Sequence, residues 1–333
     1  MPSSTPRVAS VAQITIHRSQ FPENVRRDLL DSLRKRQVNH KFHYNNVKQV
    51  MKWVRLHQNY SPAKTDKDCA ATYRRSFHAA AGHVAAKRVH VISLGCGGGE
   101  KDAGVLEALQ KPRRELFYTP SDVSVPMVLL AREASRHLVR DLRCFPLVCD
   151  LQTADDLPAV FERQRISRAV RLLTFFGMIP NFESQIFLPR LKALIHKSDW
   201  LLFSANLAPG NDYHAGVEKI LPLYDNALTR DWLITFLLDL GIEQADGKII
   251  FGIEQDRLGL KRVVADFKFS KPGKMVVDER RFHFNAGDTI RLFFSYRHTP
   301  ALVQSQLARH DLKVVEQWIT SSGEEGVFLC KRR

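Results

Sequence analysis

The sequence predicts an α/β fold built on a doubly wound, mostly parallel sheet. Three observations carry that expectation: an apolar run that breaks into a glycine cluster at 95–99, a regular alternation of strand and helix patterns over 89–205, and two strand patterns close to the end of the chain. The first strand is expected at 89–94 and the helix after it at 100–110. A second short strand at 115–119 ends at Ser121-Asp122, and a helix follows over 126–140. A third strand at 144–149 ends at Asp150, and 155–165 reads as a helix with Phe161 on its apolar side. Strand four (170–175), a helix (183–196) and strand five (200–205) complete the alternation. These strands are apolar nearly throughout, as strands covered by helices on both faces must be.

After 205 the rhythm breaks. Pro209-Gly210-Asn211-Asp212 is a turn, helical patterns follow at 215–225 and 229–240, and strand patterns come at 249–253, 261–269 and 289–296. The polar, turn-separated character of these strands suits antiparallel pairing. Thr299-Pro300 starts a helix, with the threonine as N-cap and proline at the first turn. Residues 313–318 and 327–331, joined across 321–326, form a closing hairpin. A Rossmann-like parallel sheet that ends in an antiparallel hairpin is the class I methyltransferase plan. The expected organisation is therefore a methyltransferase domain of 70–207 and 299–333. An inserted α+β unit of 208–298, completed by 1–69, is expected to serve the substrate. No internal repeat or low-complexity linker interrupts the chain.

The Gly95-Cys96-Gly97-Gly98-Gly99 turn lets the backbone approach a ligand closely, and the helix start beyond it offers free N–H donors. Dinucleotides and S-adenosylmethionine both exploit such a turn. The dinucleotide fingerprint requires a glycine where Glu100 stands, and a carboxylate there sits badly against a pyrophosphate. S-adenosylmethionine has no phosphate and carries a cationic sulfonium, so it is the cofactor expected. Ligands of open parallel sheets bind at the carboxyl ends of the strands. There the Gly95–Gly99 loop shapes the methionine end, and Asp122 accepts from the ribose hydroxyls. Asp150 accepts from the adenine amine, with Leu151 packing the ring. The loop from Gly177 to Phe182 is where a methyl acceptor approaches. Asn181 in it is either an Asx-turn residue or an amide that holds the acceptor.

Composition limits the alternatives. With 44% hydrophobic and 26% charged residues the chain is globular, and it has no apolar run near the ~20 residues a bilayer demands. Residues 1–13 lack a signal-peptide core, and five cysteines at 69, 96, 144, 149 and 330 show no paired metal spacing. Reduced thiols, a cytoplasmic location and no metal are expected. The charge of +15 raises nucleic acid as a partner, since Arg26, Arg27, Arg34, Lys35, Arg36 and Lys41 cluster near the start. Yet Val25, Leu29, Leu30 and Leu33 recur there at helical spacing, so these cations read equally as a solvated helix face.

From about His40 onward the chain resembles the histidine-specific methyltransferase family, the enzymes that make the trimethylated histidine precursor of ergothioneine. His40-Lys41-Phe42-His43-Tyr44-Asn45 is similar to the family's Lys-Trp-Phe-Tyr-Asp segment, and Tyr60-Ser61-Pro62-Ala63-Lys64-Thr65-Asp66 to its Tyr-Pro-Thr-Arg-Thr-Glu. Leu94-Gly95-Cys96-Gly97-Gly98-Gly99-Glu100-Lys101 resembles Leu-Gly-Ser-Gly-Thr-Ser-Glu-Lys, and Tyr118-Thr119-Pro120-Ser121-Asp122-Val123-Ser124 resembles Tyr-Val-Pro-Phe-Asp-Val-Ser. Residues 177–181 stand where the family has Gly-Ser-Thr-Ile-Gly-Asn, and Leu223-Tyr224-Asp225-Asn226 where it has Ala-Tyr-Asp-Asp. The resemblance implies that Asn181 and Tyr224 grip an α-amino-acid head group, with Tyr44 nearby. It also implies cofactor contacts from Tyr60, Gly95, Lys101, Asp122 and Asp150, beside Gly97 of the glycine turn.

One strand departs from the family. Ile290-Arg291-Leu292-Phe293-Phe294-Ser295 replaces Ile-Arg-Thr-Glu-Ile-Ser, so the carboxylate that reads an imidazole has become Phe293 while Ser295 remains. Period-two alternation places Arg291, Phe293 and Ser295 on one face. Losing a charged partner leaves a polar substrate group unpaired, at roughly 1–3 kcal/mol or more. The expectation is an N-methyltransferase for an amino acid or related small amine other than histidine, its acceptor lined by Tyr44, Asn181, Tyr224, Phe293 and Ser295. Phe293 as simple core stays open. The alternatives are a methyltransferase for RNA or protein, or a cofactor-binding regulator without turnover.

Overall fold

The computed structural model describes residues 11–333, so the reading of the chain's start falls mostly outside the described residues. The chain opens with β1 (Thr15–Ile16), α1 (Pro22–Lys35), α2 (Val47–Tyr60), α3 (Pro62–Thr65) and α4 (Lys67–His83). The alternating part follows as β2 (Arg88–Leu94), α5 (Glu100–Leu109), β3 (Glu115–Asp122), α6 (Val125–Ser135), β4 (Leu147–Val148), α7 (Leu157–Arg163), β5 (Val170–Phe175), α8 (Ser184–Leu194) and β6 (Trp200–Asn206). Then come α9 (Tyr213–Tyr224), α10 (Ala227–Asp239), β7 (Gly247–Gln255), β8 (Lys261–Phe269), β9 (Gly273–Val277), β10 (Arg280–Phe284) and β11 (Thr289–Tyr296). The chain closes with α11 (Pro300–Ala308), β12 (Leu312–Ile319) and β13 (Glu325–Arg332).

Eight strands form the central sheet in the order β1-β4-β3-β2-β5-β6-β13-β12. The strands from β1 to β6 pair in parallel, and β13 then pairs antiparallel with both β6 and β12. Strand alternation sends apolar side chains to both faces. Val89, Val91, Leu172 and Leu202 pack with Tyr73 and Phe77 of α4 and Val105 and Leu109 of α5. Ile92, Leu94, Phe175 and Phe203 pack on the other side with Phe161, Leu191 and Leu307 of α7, α8 and α11. The result is the class I methyltransferase fold, three layers deep, with the expected closing hairpin.

A second sheet, β11-β8-β7, is antiparallel, and β9 and β10 form a separate hairpin. Its core joins Phe267, Ile290 and Leu292 to Trp232, Leu233 and Phe236 of α10 and to Leu33, Val38 and Phe42 near the chain start. Not all of the first 69 residues pack there, because Thr15–Ile16 extends the central sheet and the division at 69/70 falls inside α4.

Several elements differ from the sequence expectation. The third strand is confined to Leu147–Val148, since Pro146 has no N–H for the ladder. The helix expected over 126–140 ends at Ser135, whose hydroxyl donates back to the Arg132 carbonyl and competes with the helical ladder. The β9–β10 hairpin and helices α2 and α4 were not legible as elements. A bulge between Arg291 and Phe293 shifts the β11 register by one residue. Arg291 therefore pairs with Asp266 and Glu254 on the face away from Phe293 and Ser295, contrary to simple alternation.

The basic cluster near the chain start meets acids. Arg27 and Lys41 pair with Asp28, Arg34 and Lys35 with Asp31, Arg26 with Asp278, and Arg36 with Asp288. Among the described residues no helix is long and apolar enough to cross a membrane, and no group of three His, Cys, Asp or Glu is arranged to hold a metal.

Candidate active site

The strand order reverses between β2 and β5, and a cavity of about 390 Å³ opens where the carboxyl ends of these strands part. That volume falls within the ~300–1,000 Å³ of small-molecule sites. Every site residue expected from sequence lines it: Tyr44, Tyr60, Gly95, Gly97, Lys101, Asp122, Asp150, Leu151, Asn181, Tyr224, Phe293 and Ser295.

The glycine turn is held by its neighbour strand. Gly95 and Cys96 N–H both donate to the Ser121 carbonyl at 2.9 Å. Gly97 N–H donates to Asp122 Oδ2 and Ser124 N–H to Asp122 Oδ1, each at 3.1 Å. Two of the glycines are constrained in different degree. Gly97 has φ +52° and a Cβ there would meet the Trp53 ring at 3.2 Å; Gly99 has φ +76° and its Cβ would lie 2.4 Å from Ala131 Cα. Burial pushes the Asp122 carboxyl up to about 6, although the N–H groups of Gly97, Ser124 and Val123 pull the other way.

Asp150 is fixed by Ser19, whose Oγ accepts its N–H at 2.9 Å, and by its own Oδ1, which accepts from Gln152 N–H at 2.8 Å. Its Oδ2 is buried without a hydrogen-bond partner, and Lys41 Nζ approaches it at 3.3 Å while donating to Asp28 Oδ2 at 2.5 Å. Lys41 is a site residue that sequence reading did not find. Its only signal was its place in the segment similar to the family's, beside Tyr44.

On the opposite wall Tyr224 Oη donates to Ser295 Oγ at 2.9 Å and accepts from Arg297 Nη2 at 2.8 Å. Phe293 stands with Tyr224, Trp232 and His40 around it, ring centroids 5.4–6.1 Å away. Burial holds His40 neutral, down to about 3, and burial followed by the charge of Asp122 pushes the Tyr44 phenol well up. Trp53 and His57 stack at 4.8 Å one helical turn apart on α2, and both line the cavity. Sequence reading missed both, because α2 was not read as a helix; the i, i+4 spacing of two aromatic rings is the signal that could have found them. Asn181 ends a short 3-10 turn, Ile179–Asn181, whose N-cap Met178 follows Gly177.

A third group closes the end near Lys101. Its ammonium donates to Tyr73 Oη at 2.7 Å and lies 3.8 Å from Glu325 Oε1, with Tyr73 donating to the same carboxylate oxygen. Glu325 comes from the closing hairpin, far away in sequence, and no spacing could have found it.

The residues suit S-adenosylmethionine. An orphaned carboxylate oxygen at Asp150 can accept from an amine, the glycine turn brings bare backbone to the cavity wall, and one end carries opposite charges. Fold and cavity together define a class I, S-adenosylmethionine-dependent methyltransferase. The family model for S-adenosylmethionine-dependent, histidine-specific methyltransferases matches residues 25–229, and the chain belongs to that family. No curated protein matches by sequence. Among solved structures the chain is similar to the CcbJ methyltransferase from Streptomyces caelestis, at 13% identity, covering 78% of this chain and 95% of that one, with a TM-score of 0.41. It is also similar to the magnesium protoporphyrin IX methyltransferase ChlM from Synechocystis PCC 6803, solved with bound SAH, at 12% identity, 86% and 96% coverage and a TM-score of 0.42. A third similar structure is the N,N-8-amino-8-demethyl-D-riboflavin dimethyltransferase RosA from Streptomyces davawensis, at 14% identity, 95% and 71% coverage and a TM-score of 0.43.

Proposed function

We propose that this methyltransferase transfers its methyl group to the nitrogen of an amino acid or related small amine other than histidine. The observation that carries the reading is the pairing of two walls in one cavity. One wall is the carboxyl edge of the central sheet; the other is Tyr224, Ser295 and Phe293 beside the second sheet. In this reading Asp122 accepts from the ribose hydroxyls, Asp150 from the adenine amine, and Leu151 and Tyr60 cover the nucleoside. Gly95, Gly97 and Lys101 hold the methionine end. The 70–207 and 299–333 segments form the cofactor domain, and 208–298 with much of 1–69 forms the acceptor unit.

Bound S-adenosylmethionine supplies a methyl group already activated by the sulfonium. The protein then has to align a nitrogen lone pair with that methyl and exclude water. Asn181 and Tyr224 are proposed to fix the acceptor head group through an amide and a phenol. Arg297 orients Tyr224 by donating to its oxygen, which leaves the Tyr224 proton directed at Ser295. Tyr44, Trp53 and Trp232 enclose the acceptor in apolar rings. Phe293 offers a phenyl where an imidazole reader would need a carboxylate, which favours an aromatic or apolar side chain on the acceptor.

The test is methyl transfer from labelled cofactor to a panel of free amino acids and biogenic amines, read by mass spectrometry, with Asn181→Ala as control. A methylated amino acid or amine that disappears in the variant supports the reading. Preferred methylation of histidine overturns the assignment of Phe293, and silence across the panel from cofactor-binding protein overturns the small-amine acceptor.

A further inference from the structure

Glu325 is 8% exposed, yet it lines the cavity at the start of β13, as Lys101 and Phe176 also do. Its position is imposed from behind. Tyr73 Oη donates to Oε1, and the Cys69 thiol lies 3.6 Å from Oε2. Both are neutral donors, because burial pushes the phenol and the thiol well up. The remaining partner is Lys101, part-exposed, whose Nζ is 3.8 Å from Oε1, too far for a hydrogen bond. A carboxylate offers about four lone-pair sites, so this one keeps acceptor capacity toward the cavity. Glu100, the neighbouring acid of the cavity, is instead engaged by Lys64. A cation and an anion thus stand side by side at one end of the site. An α-amino acid carries the complementary pair, ammonium and carboxylate, on a single carbon.

We propose that Glu325 and Lys101 together read the zwitterionic end of S-adenosylmethionine, Glu325 accepting from the α-ammonium and Lys101 donating to the α-carboxylate. The inference rests on the cofactor lying along the carboxyl edge with its methionine end at Lys101, as proposed above. Glu325 lies outside the residues matched by the family model, 25–229, so the family match assigns it no role. Hydrogen bonds to charged groups are the strong ones, and a desolvated ammonium–carboxylate contact discriminates against a ligand that lacks the amine.

Calorimetric titration of the full chain with S-adenosylhomocysteine and with its des-amino analogue, which lacks only the α-amine, tests this. Wild-type protein is expected to prefer S-adenosylhomocysteine by about tenfold or more, ~1.4 kcal/mol. Glu325→Gln should reduce that preference to within about threefold while the des-amino analogue binds nearly as before. A role confined to holding Tyr73 would weaken both ligands alike and overturn the proposal, as would a wild-type protein with no preference. Should Glu325→Gln not fold, Glu325→Asp decides: withdrawing the carboxylate by one methylene must lower the preference, and an unchanged one overturns the proposal. Wild-type protein that binds neither ligand would remove the cofactor pose as well, which separates the two failures.

Discussion

At the residue scale, Asp122 couples the site to pH. Its raised carboxyl means that the folded, ligand-free protein holds this proton more tightly than the unfolded chain. The stabilisation is complete below about 3.8 and is lost as pH rises through about 6. In chemical denaturation the stability of the ligand-free protein should therefore fall as pH rises from about 4 through about 6, and Asp122→Asn, which does not titrate, should flatten that slope. Cofactor binding should respond with the opposite sign. Ribose hydroxyls donate best to the carboxylate, so affinity for S-adenosylhomocysteine is expected to fall as pH drops from 7.5 to 5, with that dependence absent in Asp122→Asn. Phe293 makes a second residue-level case. Phe293→Leu keeps an apolar side chain in the same cluster but removes part of the ring volume, and should cost roughly 1–2 kcal/mol of stability. It should raise the acceptor KM several-fold while leaving cofactor affinity unchanged, and a variant with unaltered acceptor kinetics would return Phe293 to plain core.

At the scale of elements, the glycine turn separates fold from tolerance within one loop. Gly99→Ala places a Cβ against the α6 backbone at a strained φ, and a loss of several kcal/mol in denaturant titration is expected. Gly98→Ala meets nothing within 4 Å and should change stability by less than about 0.5 kcal/mol. The turn was legible in sequence because its chemistry is local: glycine, strand before, helix after. Strand β11 was legible as a strand but not in its facing. Only the bulge beside Leu292 decides that Arg291 turns to Asp266 and Glu254 while Phe293 and Ser295 turn to the cavity, and a bulge leaves no mark in a period-two pattern. Helix α2 went unread for a different reason. Its fully buried side is short, with Gln49 and Val50 the buried residues, while Trp53 and Leu56 are only partly buried, packing against the α10 cluster and lining the cavity.

At the scale of the whole molecule, Lys41 ties the chain's start to the site. It is 4% exposed and lies between Asp28 of α1 and Asp150 beyond β4, so the chain's start is electrostatically bound to the edge of the central sheet. Lys41→Met would leave the buried Asp150 without its cation and Asp28 with Arg27 alone, and a loss of about 3–5 kcal/mol is expected in equilibrium unfolding. Because Lys41 engages the one Asp150 oxygen without a hydrogen bond, the variant should also change cofactor affinity, which calorimetry on the folded protein would detect. An unchanged affinity would show that Lys41 serves only to dock the segment.

The sequence by itself determined the three-layer sheet, its closing hairpin and the positions of the strand-end acids. Apolar periodicity, capping residues and glycine turns are local signals, and each needs only a few neighbouring residues to act. Tertiary structure alone decided which distant side chains share the cavity. Glu325 meets Lys101 and Tyr73 because β13 lies beside β6, and Lys41 meets Asp150 because the chain's start folds across the sheet's edge. Such encounters are set by strand order and by the desolvation of charges that must find partners, and neither leaves a spacing in the sequence.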